Sequence, residues 1–290
     1  MGHDEATYMA VMDLLGTGRS DRAIAAKTSV SPGTVRRWRL ATAPPKGVLR
    51  RRMADAWAVP DKTAYCYLLG AYLGDGTVVL VPPNAASLQI VNDRRYKAIS
   101  EEILAAMRTT FPGGPLRAHP SSVGESDVLS VSHPAIKRAF PQHGPGRKHL
   151  RSIVLADWQL ELTHAHPGAL VRGLIHSDGC RAVNRFRTKL PSGRVAEYSY
   201  VRYFFSNLSE DIRRIFAVHC GLLGIRVTQS NHRNLSVSHR DSVRSSRSWS
   251  ARRVETPYPM DTGWAPPARI GAVARSAARS GGAWAATATG

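Results

Sequence analysis

The chain has 290 residues, in which 40 lysines and arginines face 21 aspartates and glutamates, giving a formal charge of +19. A chain of this length can form one large or two modest domains with a buried core. So basic a chain is expected to bind a polyanion, most simply nucleic acid, rather than a small-molecule substrate. Because no stretch of the sequence is apolar over the thickness of a bilayer, a membrane protein is not expected.

The first five residues are acidic rather than basic, unlike a secretory signal, so we expect a cytoplasmic protein associated with the nucleoid. The cysteines Cys66, Cys180 and Cys220 are scattered and show no Cys-x-x-Cys spacing. We interpret them as small buried residues in a reducing compartment. The segment 164–166, His-Ala-His, is predicted to be a surface loop rather than a metal site.

Residues 1–42 are predicted to form a small all-α domain of three short helices, at 8–15, Asp21–Thr28 and 32–39. Ser20 is the expected N-cap of the second helix, and Ser31 that of the third. This order resembles helix-turn-helix DNA-binding modules, in which the last helix enters the major groove. The alternative is a helical cap with a solvated basic face. On the DNA-binding interpretation, the candidate contacts are Ser31, Gly33, Thr34, Arg36, Arg37 and Arg39.

Residues 43–61 read as a linker between this domain and the rest of the chain. The run APPKG at 43–47 is a semi-rigid break, and Arg50, Arg51 and Arg52 follow it. Such a run is either a solvated face or, in a DNA-binding protein, a set of phosphate contacts that adds affinity without sequence readout.

One apolar pattern occurs twice, as LLGAYLGDG at 68–76 and as LVRGLIHSDG at 170–179. Asp75 and Asp178 occupy the same place in the two copies, 103 residues apart. This constant offset indicates that a unit of domain size is duplicated. One apolar helix ending in Asp-Gly would be read as an ordinary core helix, but two copies in register favour a function.

Small residues four positions apart share one face of each predicted helix: Gly70 and Gly74 in the first copy, and Gly173 and Ser177 in the second. Two helices with such faces can bring their backbones close together. The two aspartates would then meet at the C-terminal ends of the helices, where a carboxylate is unfavourable unless a cation compensates it. Oxygen ligands in that setting suit a hard divalent ion, most plausibly Mg²⁺.

The paired motif resembles that of the LAGLIDADG homing endonucleases in their two-motif, single-chain form, over about residues 62–240. The resemblance implies an α+β fold in which an αββαββα unit is duplicated, with repeats at 62–152 and 153–241 and the motif helices packed at the centre. It implies a monomer with internal pseudo-two-fold symmetry that hydrolyses phosphodiesters of double-stranded DNA with Mg²⁺. Asp75 and Asp178 would be the catalytic metal ligands.

The predicted elements follow the same order in both halves. We expect strands at 77–81, 86–91, 116–119, 127–132, 180–188, 198–206, 226–229 and 234–238, and helices at 94–108, 134–140 and 209–223. The resemblance implies that strands line the DNA groove. In the second half the strand residues predicted to contact DNA are Arg181, Arg185, Arg187, Lys189, Arg194 and Arg202. In the first half they are Asn84, Gln89, Asn92 and Arg94.

A basic segment at 141–151 lies between the two halves. Family members place a basic residue near the metal centre to help activate water or stabilise the transition-state phosphate. Lys148 is our candidate for that catalytic role, with His149 and Lys97 as alternatives, while Arg147 and His149 are candidate phosphate contacts. A role in phosphate contact alone remains open for all of them.

After residue 241 the composition changes to Arg, Ser, Ala, Gly and Pro without a sustained period, so 242–290 is predicted to be a disordered tail. The family pattern would close the second half with a helix there, and the sequence shows none. A non-cleaving transcriptional regulator on the same scaffold is the rival interpretation. The helix-turn-helix and His176, in place of an apolar residue, favour the regulator, and the two retained aspartates favour the nuclease.

Overall fold

The computed structural model describes residues 3–49, 57–81, 85–122 and 124–246. The predictions for Arg50, Arg51, Arg52 and Asn84, and for 247–290, lie outside these ranges. Among the described helices, none combines the length and the apolar character needed to cross a membrane.

The N-terminal part contains α1 (Glu5–Gly16), α2 (Asp21–Thr28) and α3 (Pro32–Leu40). Helices α2 and α3 begin directly after the predicted N-cap residues. Ser20 and Ser31 each accept a hydrogen bond from the backbone N–H three residues later. The buried side chains of this N-terminal part form one small cluster: Tyr8, Val11, Ile24, Val30, Val35, Trp38 and Val48. On α1, Tyr8 and Val11 are buried and Met9 is exposed.

From Trp57 onward the described residues form further helices and strands, and their buried apolar side chains make a second hydrophobic cluster. The helices are α4 (Lys62–Asp75), α5 (Lys97–Thr110), α6 (Ile136–Ala139), α7 (Asp157–Ala165), α8 (Pro167–Asp178), α9 (Glu210–Leu222) and α10 (Arg240–Ser245). The strands are β1 (Gly76–Val81), β2 (Ala85–Asp93), β3 (Leu116–Pro120), β4 (Ser126–Ser132), β5 (Gly179–Lys189), β6 (Val195–Ser206), β7 (Thr228–Gln229) and β8 (Asn234–Val237).

The two halves of this region have the same topology. Each contains a four-stranded antiparallel sheet, in the order β1-β2-β4-β3 and β5-β6-β8-β7. In each half a motif helix runs directly into the first strand, and a longer helix, α5 or α9, connects the second strand to the third. The predicted α+β fold with a duplicated unit is confirmed.

The motif helices α4 and α8 pack with their backbones in contact. A Cβ atom added at Gly173 would lie 2.0 Å from the Tyr67 carbonyl oxygen and 2.8 Å from the Ala71 nitrogen. One at Gly70 would lie 2.3 Å from the Leu170 carbonyl oxygen. All three distances are far shorter than a van der Waals contact, so only glycine at these two positions allows the helices to lie this close.

Two elements differ from the predictions. The loop predicted at 164–166 is wrong for His164, which lies in the last turn of α7. The second half does close with a helix, α10, although none was predicted. Its inward positions are polar: Ser242 is buried, and its hydroxyl accepts a hydrogen bond of 3.0 Å from the Arg226 N–H. Val243 is the one apolar residue of this short helix that packs against the core, so hydrophobic periodicity could not reveal the helix.

Cys66, Cys180 and Cys220 form no disulfide, and the prediction that they are buried is wrong for Cys180. Cys66 and Cys220 are buried, whereas Cys180 is partly exposed. The buried polar network between the halves was not foreseen: the Gln142 side chain donates to Gln159, which donates to the Tyr65 hydroxyl at 2.6 Å. This network fixes the connecting segment against α4.

Replacing Gly173 with alanine is expected to lower the free energy of unfolding by about 1–3 kcal/mol, because the added methyl group forces two backbones apart. Chemical denaturation of Gly173→Ala measures the change. Gly221→Ala in α9 is the matched control, since open space surrounds Gly221 and alanine favours a helix. Equal stability of the two variants would contradict close packing of the motif helices.

Candidate metal centre and nucleic-acid interface

The two motif aspartates end the two central helices. Asp75 is the last residue of α4 and Asp178 the last of α8, each directly before the glycine that begins a strand. A Cβ atom at Gly74 would lie 2.1 Å from the Ser177 hydroxyl oxygen and 2.9 Å from Oδ2 of Asp178. The Asp178 carboxylate therefore lies against the backbone immediately before Asp75. The close helix contact brings both aspartates to one end of the helix pair.

Lys148 contacts the C-terminal end of the first motif helix. Its ammonium group donates hydrogen bonds to the carbonyl oxygens of Tyr72, Leu73 at 3.1 Å and Gly74 at 2.8 Å. The Nζ atom also lies 4.9 Å from the centre of the Tyr72 ring. The carbonyl groups in the last turn of a helix have no intrahelical partner and carry the negative end of its dipole. Lys148 donates to two such carbonyl groups, those of Leu73 and Gly74, and shares the Tyr72 oxygen with the Gly76 N–H. It also supplies a compensating cation.

Burial lowers the pKa of Lys148 to about 8, and Asp178 and then Asp75 oppose that shift by favouring the charged form. Both carboxylates thus act on one ammonium group. Since the pKa remains above 7, the protonated form predominates at neutral pH. The centre then combines two carboxylates with one buried positive charge, that of Lys148, which lies at the end of the first motif helix.

The two aspartates have different surroundings. Asn207 donates a hydrogen bond of 2.6 Å from Nδ2 to Oδ2 of Asp178. Its Oδ1 accepts the Ser209 N–H at 2.7 Å, which orients the amide. Asp75 itself is exposed. Sequence reasoning missed Asn207, although its position between a strand and the cap of the next helix was a usable signal.

The donor set at this centre suits a hard divalent cation. Among the described residues, no group of three or more His, Cys, Asp and Glu side chains converges in a way that could hold a metal ion. The two carboxylates offer only oxygen ligands, as Mg²⁺ and Mn²⁺ prefer. A metal ion held by Asp75 and Asp178 would complete its coordination with water and phosphate oxygens. The residues present therefore fit a divalent cation that takes its remaining ligands from outside the chain.

The register of the second sheet places the basic residues predicted to contact DNA on two different faces. We call inner the face that carries the buried Tyr203 and Phe205, and outer the opposite face. Directly paired residues share a face, as Arg181 does with Tyr203 and Ala182 with Arg202. Arg202 therefore lies on the outer face, opposite Arg181. Alternation along β5 places the following on the inner face with Arg181: Arg185, Arg187 and Lys189.

Two further basic residues of this hairpin have other settings. Arg194 lies in the turn between β5 and β6, where its carbonyl oxygen accepts the Leu190 N–H. Arg187 is paired with Glu197 across the hairpin. Arg185 and Lys189 are exposed toward the far end of the strand.

In the first sheet, Gln89 lies on the face opposite the buried Leu88 and Ile90 and is partly exposed. Asn92 serves an internal role, because its amide donates to the Tyr96 carbonyl and the Ser100 hydroxyl.

Arg94, another predicted contact, is paired with Asp127 at 2.8 Å. Sequence reasoning missed Arg117 and His119 on β3, which pair with Ser130 and Val128 and thereby share the face of Gln89. Both are exposed.

The candidate contacts in the N-terminal helices have distinct roles. Ser31 is the N-cap of α3 and donates from its hydroxyl to that of Thr34. Arg39 is exposed but already paired within this part of the chain: its guanidinium lies 2.8 Å from the Asp21 carboxylate and donates to the Arg19 carbonyl oxygen at 2.7 Å. The candidates Gly33, Arg36 and Arg37 are exposed.

Of the basic residues considered for the catalytic role, Lys148 contacts the end of a motif helix. His149 is half-buried in the same short 3₁₀ turn (Lys148–Leu150), and Arg147 before it is exposed. Lys97 is exposed at the start of α5.

A cavity of about 490 Å³ lies at the opposite ends of the motif helices. It is lined by Asp61, Thr63, Tyr67, Glu102 and Arg172, among others. Because the residues near Asp61 begin α4 and Asp75 ends it, the cavity and the aspartates are separated by about 20 Å of helix. The aspartates instead lie beside the strands that begin the two sheets.

No family model and no curated protein matches the sequence. Solved structures do match. The homing endonuclease I-DmoI, in complex with DNA and Mn, is 15% identical, with 68% of this chain and 99% of that chain covered and a TM-score of 0.42.

Two further structures illustrate the range of the matches. The LAGLIDADG meganuclease I-AabMI, bound to uncleaved DNA, is 12% identical, with 67% of this chain and 85% of that chain covered and a TM-score of 0.41. Full-length DUF199/WhiA from Thermotoga maritima is also 12% identical, with 69% and 59% covered and a TM-score of 0.40. The structural neighbours thus include LAGLIDADG homing endonucleases. This is the family that the paired motif resembles.

The pKa of Lys148 is expected to fall further in Asp178→Asn, because that substitution removes the carboxylate with the larger effect in favour of the ammonium form. A pH titration of the Lys148 side chain by NMR in metal-free protein with labelled lysine measures it, with Lys148→Met identifying the resonance. The wild-type midpoint should be about 8. A midpoint that does not change in Asp178→Asn would contradict the placement of the two groups.

Proposed function

We propose that the chain is a site-specific endonuclease that hydrolyses phosphodiester bonds of double-stranded DNA with a divalent metal ion. The observation that carries this proposal is the meeting of Asp75 and Asp178 at one end of the helix pair, beside the buried ammonium of Lys148. Two carboxylates at two helix C-termini are unfavourable for stability, and the single charge of Lys148 offsets them only in part. Their presence in both copies is accounted for by a ligand that needs them.

In this proposal Asp75 and Asp178 hold the metal ions, one acid for each DNA strand. A bound divalent ion supplies Lewis acidity toward the phosphate and lowers the pKa of water. Lys148 holds its proton at Nζ, where three N–H donors meet three carbonyl oxygens. It therefore acts as a fixed positive charge that offsets the developing negative charge, rather than as a base. Asn207 orients the Asp178 carboxylate.

Binding to DNA is assigned to the two sheets and to the N-terminal helices. The formal charge of +19 supports a polyanionic partner. Arg36 and Arg37 on α3, Arg147 between the repeats, and Arg185 and Lys189 on β5 are exposed and suited to phosphate contacts. The internal pseudo-symmetry supports action as a monomer on one duplex, and Mg²⁺ is the proposed physiological ion.

A second candidate is a regulator that binds a DNA sequence without cutting it. It is favoured by the engagement of Lys148, whose ammonium already occupies carbonyl oxygens beside Asp75, and by the lack of a third acidic or imidazole ligand among the described residues. On this interpretation the scaffold and the N-terminal helices read DNA, and the aspartates are retained without a catalytic role.

Cleavage of a randomised duplex library with Mg²⁺, with Mn²⁺ and with EDTA distinguishes the two candidates. The nuclease is expected to give double-strand cuts that require metal and disappear in Asp75→Asn/Asp178→Asn, because the amides cannot replace the anionic ligands. Selective retention of one sequence without cuts, unaltered in the double variant, would establish the regulator instead. The Glu161→Gln variant, in α7, is a control for removal of a carboxylate away from the centre.

Arg37→Ala is expected to weaken duplex binding and to lower the slope of log K against log salt by about 1, because one phosphate contact is lost. Arg39→Ala should leave the slope nearly unchanged and lower stability by at most about 1 kcal/mol, as is typical of an exposed ion pair. Fluorescence anisotropy over a salt series and thermal unfolding measure the two quantities. Equal slopes for wild type and Arg37→Ala would exclude α3 from the DNA contact.

A further inference from the structure

The cavity of about 490 Å³ beside the beginning of α4 takes no part in the chemistry proposed above. Three helices form it: α4 and α5 of the first repeat and α8 of the second. Its volume lies within the range of sites for small organic molecules and far exceeds the space of a single water molecule. A ligand bound there would contact both repeats at once.

Small residues on all three helices leave this space open. The cavity wall includes Ala64 on α4, Ala105 and Ala106 on α5, and Gly168 and Ala169 on α8. Such residues offer an apolar surface without filling the volume between the helices. The wall therefore suits a short apolar group, as is usual in sites for small ligands.

The second repeat fills the equivalent space. The buried residues of α5 align with those of α9 at an offset of 113: Ile99 with Ile212, Ile103 with Phe216, and Met107 with Cys220. The motif helices align at an offset of 103. By these offsets Asp61 and Ala106, which line the cavity, correspond to His164 and His219. The two histidine rings lie together there, with centres 5.6 Å apart. The cavity is thus a property of the first repeat and not of the duplicated fold.

Charged groups of both signs line the cavity. Arg172 on α8 donates from Nη2 to Glu102 on α5 at 2.8 Å, so this ion pair joins the two repeats. A guanidinium group has five N–H donors, and a second carboxylate can therefore share it. Asp61 is the N-cap of α4, and its Oδ1 accepts the Ala64 N–H at 2.9 Å. The cavity thus offers a guanidinium to an anion and a carboxylate to a cation.

A buried network holds the charged groups in place. The Tyr67 hydroxyl lies 3.0 Å from Nδ1 of His176, and the Glu102 carboxylate lies 3.9 Å from the same nitrogen. Burial raises the pKa of the Tyr67 hydroxyl, and the Glu102 charge raises it further while Arg172 lowers it. The hydroxyl therefore keeps its proton, and both charges act on it. Groups ordered before a ligand arrives lose little side-chain entropy when it binds.

We propose that this cavity binds a zwitterionic small molecule of the amino-acid type, with its carboxylate at Arg172, its ammonium group at Asp61 and its side chain against the alanines of the wall. Bases outnumber acids 40 to 21 in the chain, yet two acids and one base line the cavity, so it does not suit the polyanion that the rest of the chain suits. A zwitterion pairs with both signs, whereas an anion alone would be repelled by two carboxylates. This function goes beyond the cleavage of DNA and does not rest on it.

The test measures thermal unfolding of the full-length chain with each common L-amino acid in turn, without DNA or metal. A bound amino acid at about ten times its dissociation constant is expected to raise the melting temperature by about 3–6 °C. Isothermal titration calorimetry gives the dissociation constant. Two further probes keep the side chain and lack either the carboxylate or the ammonium group, as isoamylamine and isocaproate do for leucine.

Two variants separate the charges of the site. Asp61→Asn removes the negative charge and keeps the N-cap, since asparagine caps a helix as well as aspartate does. Arg172→Gln removes the guanidinium. Each is expected to weaken amino-acid binding about 10- to 100-fold, because one charged hydrogen bond is lost. Asp61→Asn should weaken the amine and not the acid, and Arg172→Gln the acid and not the amine.

Asp4→Asn, at the N-cap of α1, is the matched control and should bind as the wild type does. Circular dichroism establishes that each variant is folded. A melting temperature that no amino acid raises would overturn the assignment. Equal binding by the wild type, Asp61→Asn and Arg172→Gln would also overturn it, and so would an amine that binds as tightly as its amino acid. Because DNA and metal are absent, these results hold whether or not the chain cleaves DNA.

Discussion

The backbone contact between the two motif helices determines the geometry of the whole duplicated region. It occurs where Gly70 and Gly173 approach each other, at positions that no residue with a Cβ atom can occupy without separating the helices. Because α4 and α8 run directly into β1 and β5, the same contact fixes where the two sheets begin. It also brings two helix C-termini, and the aspartates that end them, to one place.

That arrangement is electrostatically unfavourable on its own. Two carboxylates lie beside two negative dipole ends, and the chain supplies one buried cation, Lys148, at the first of them. At the end of the second helix, the neutral Asn207 amide donates a hydrogen bond to the Asp178 carboxylate and brings no charge. The compensation is therefore partial and unequal, which is the condition expected of a site that receives further positive charge from a bound ion.

The order of helices and strands could be predicted from sequence because the duplicated motif gives the period and the apolar patterns give the elements. Gly70 and Gly173 were identifiable for the same reason, since a small residue four positions before another marks a helix face. The direction of the strand side chains could not be predicted. The basic residues of β5 and β6 were grouped by charge, whereas the hairpin register places Arg202 on the opposite face from Arg181.

Other features depend on contacts that no local pattern reveals. The helix α10 buries Ser242 beside a single apolar contact from Val243, so its inward face shows no apolar period. Lys148 was one of several basic candidates, and only its distance to the carbonyl oxygens of α4 separates it from Lys97. Phe186 alternates with the basic residues of β5 and so lies on the opposite face of the sheet, which a pattern of charge alone does not reveal. The two repeats have thus kept one topology and acquired different surfaces.

The most direct test of this account is whether the two aspartates together hold a divalent cation. Electron paramagnetic resonance of Mn²⁺, titrated into the protein with duplex DNA and corrected for DNA alone, measures the ions bound. The wild type is expected to bind Mn²⁺. Binding should weaken in Asp75→Asn and in Asp178→Asn and should be lost when both aspartates are replaced. Equal Mn²⁺ binding by the wild type and the double variant would contradict it.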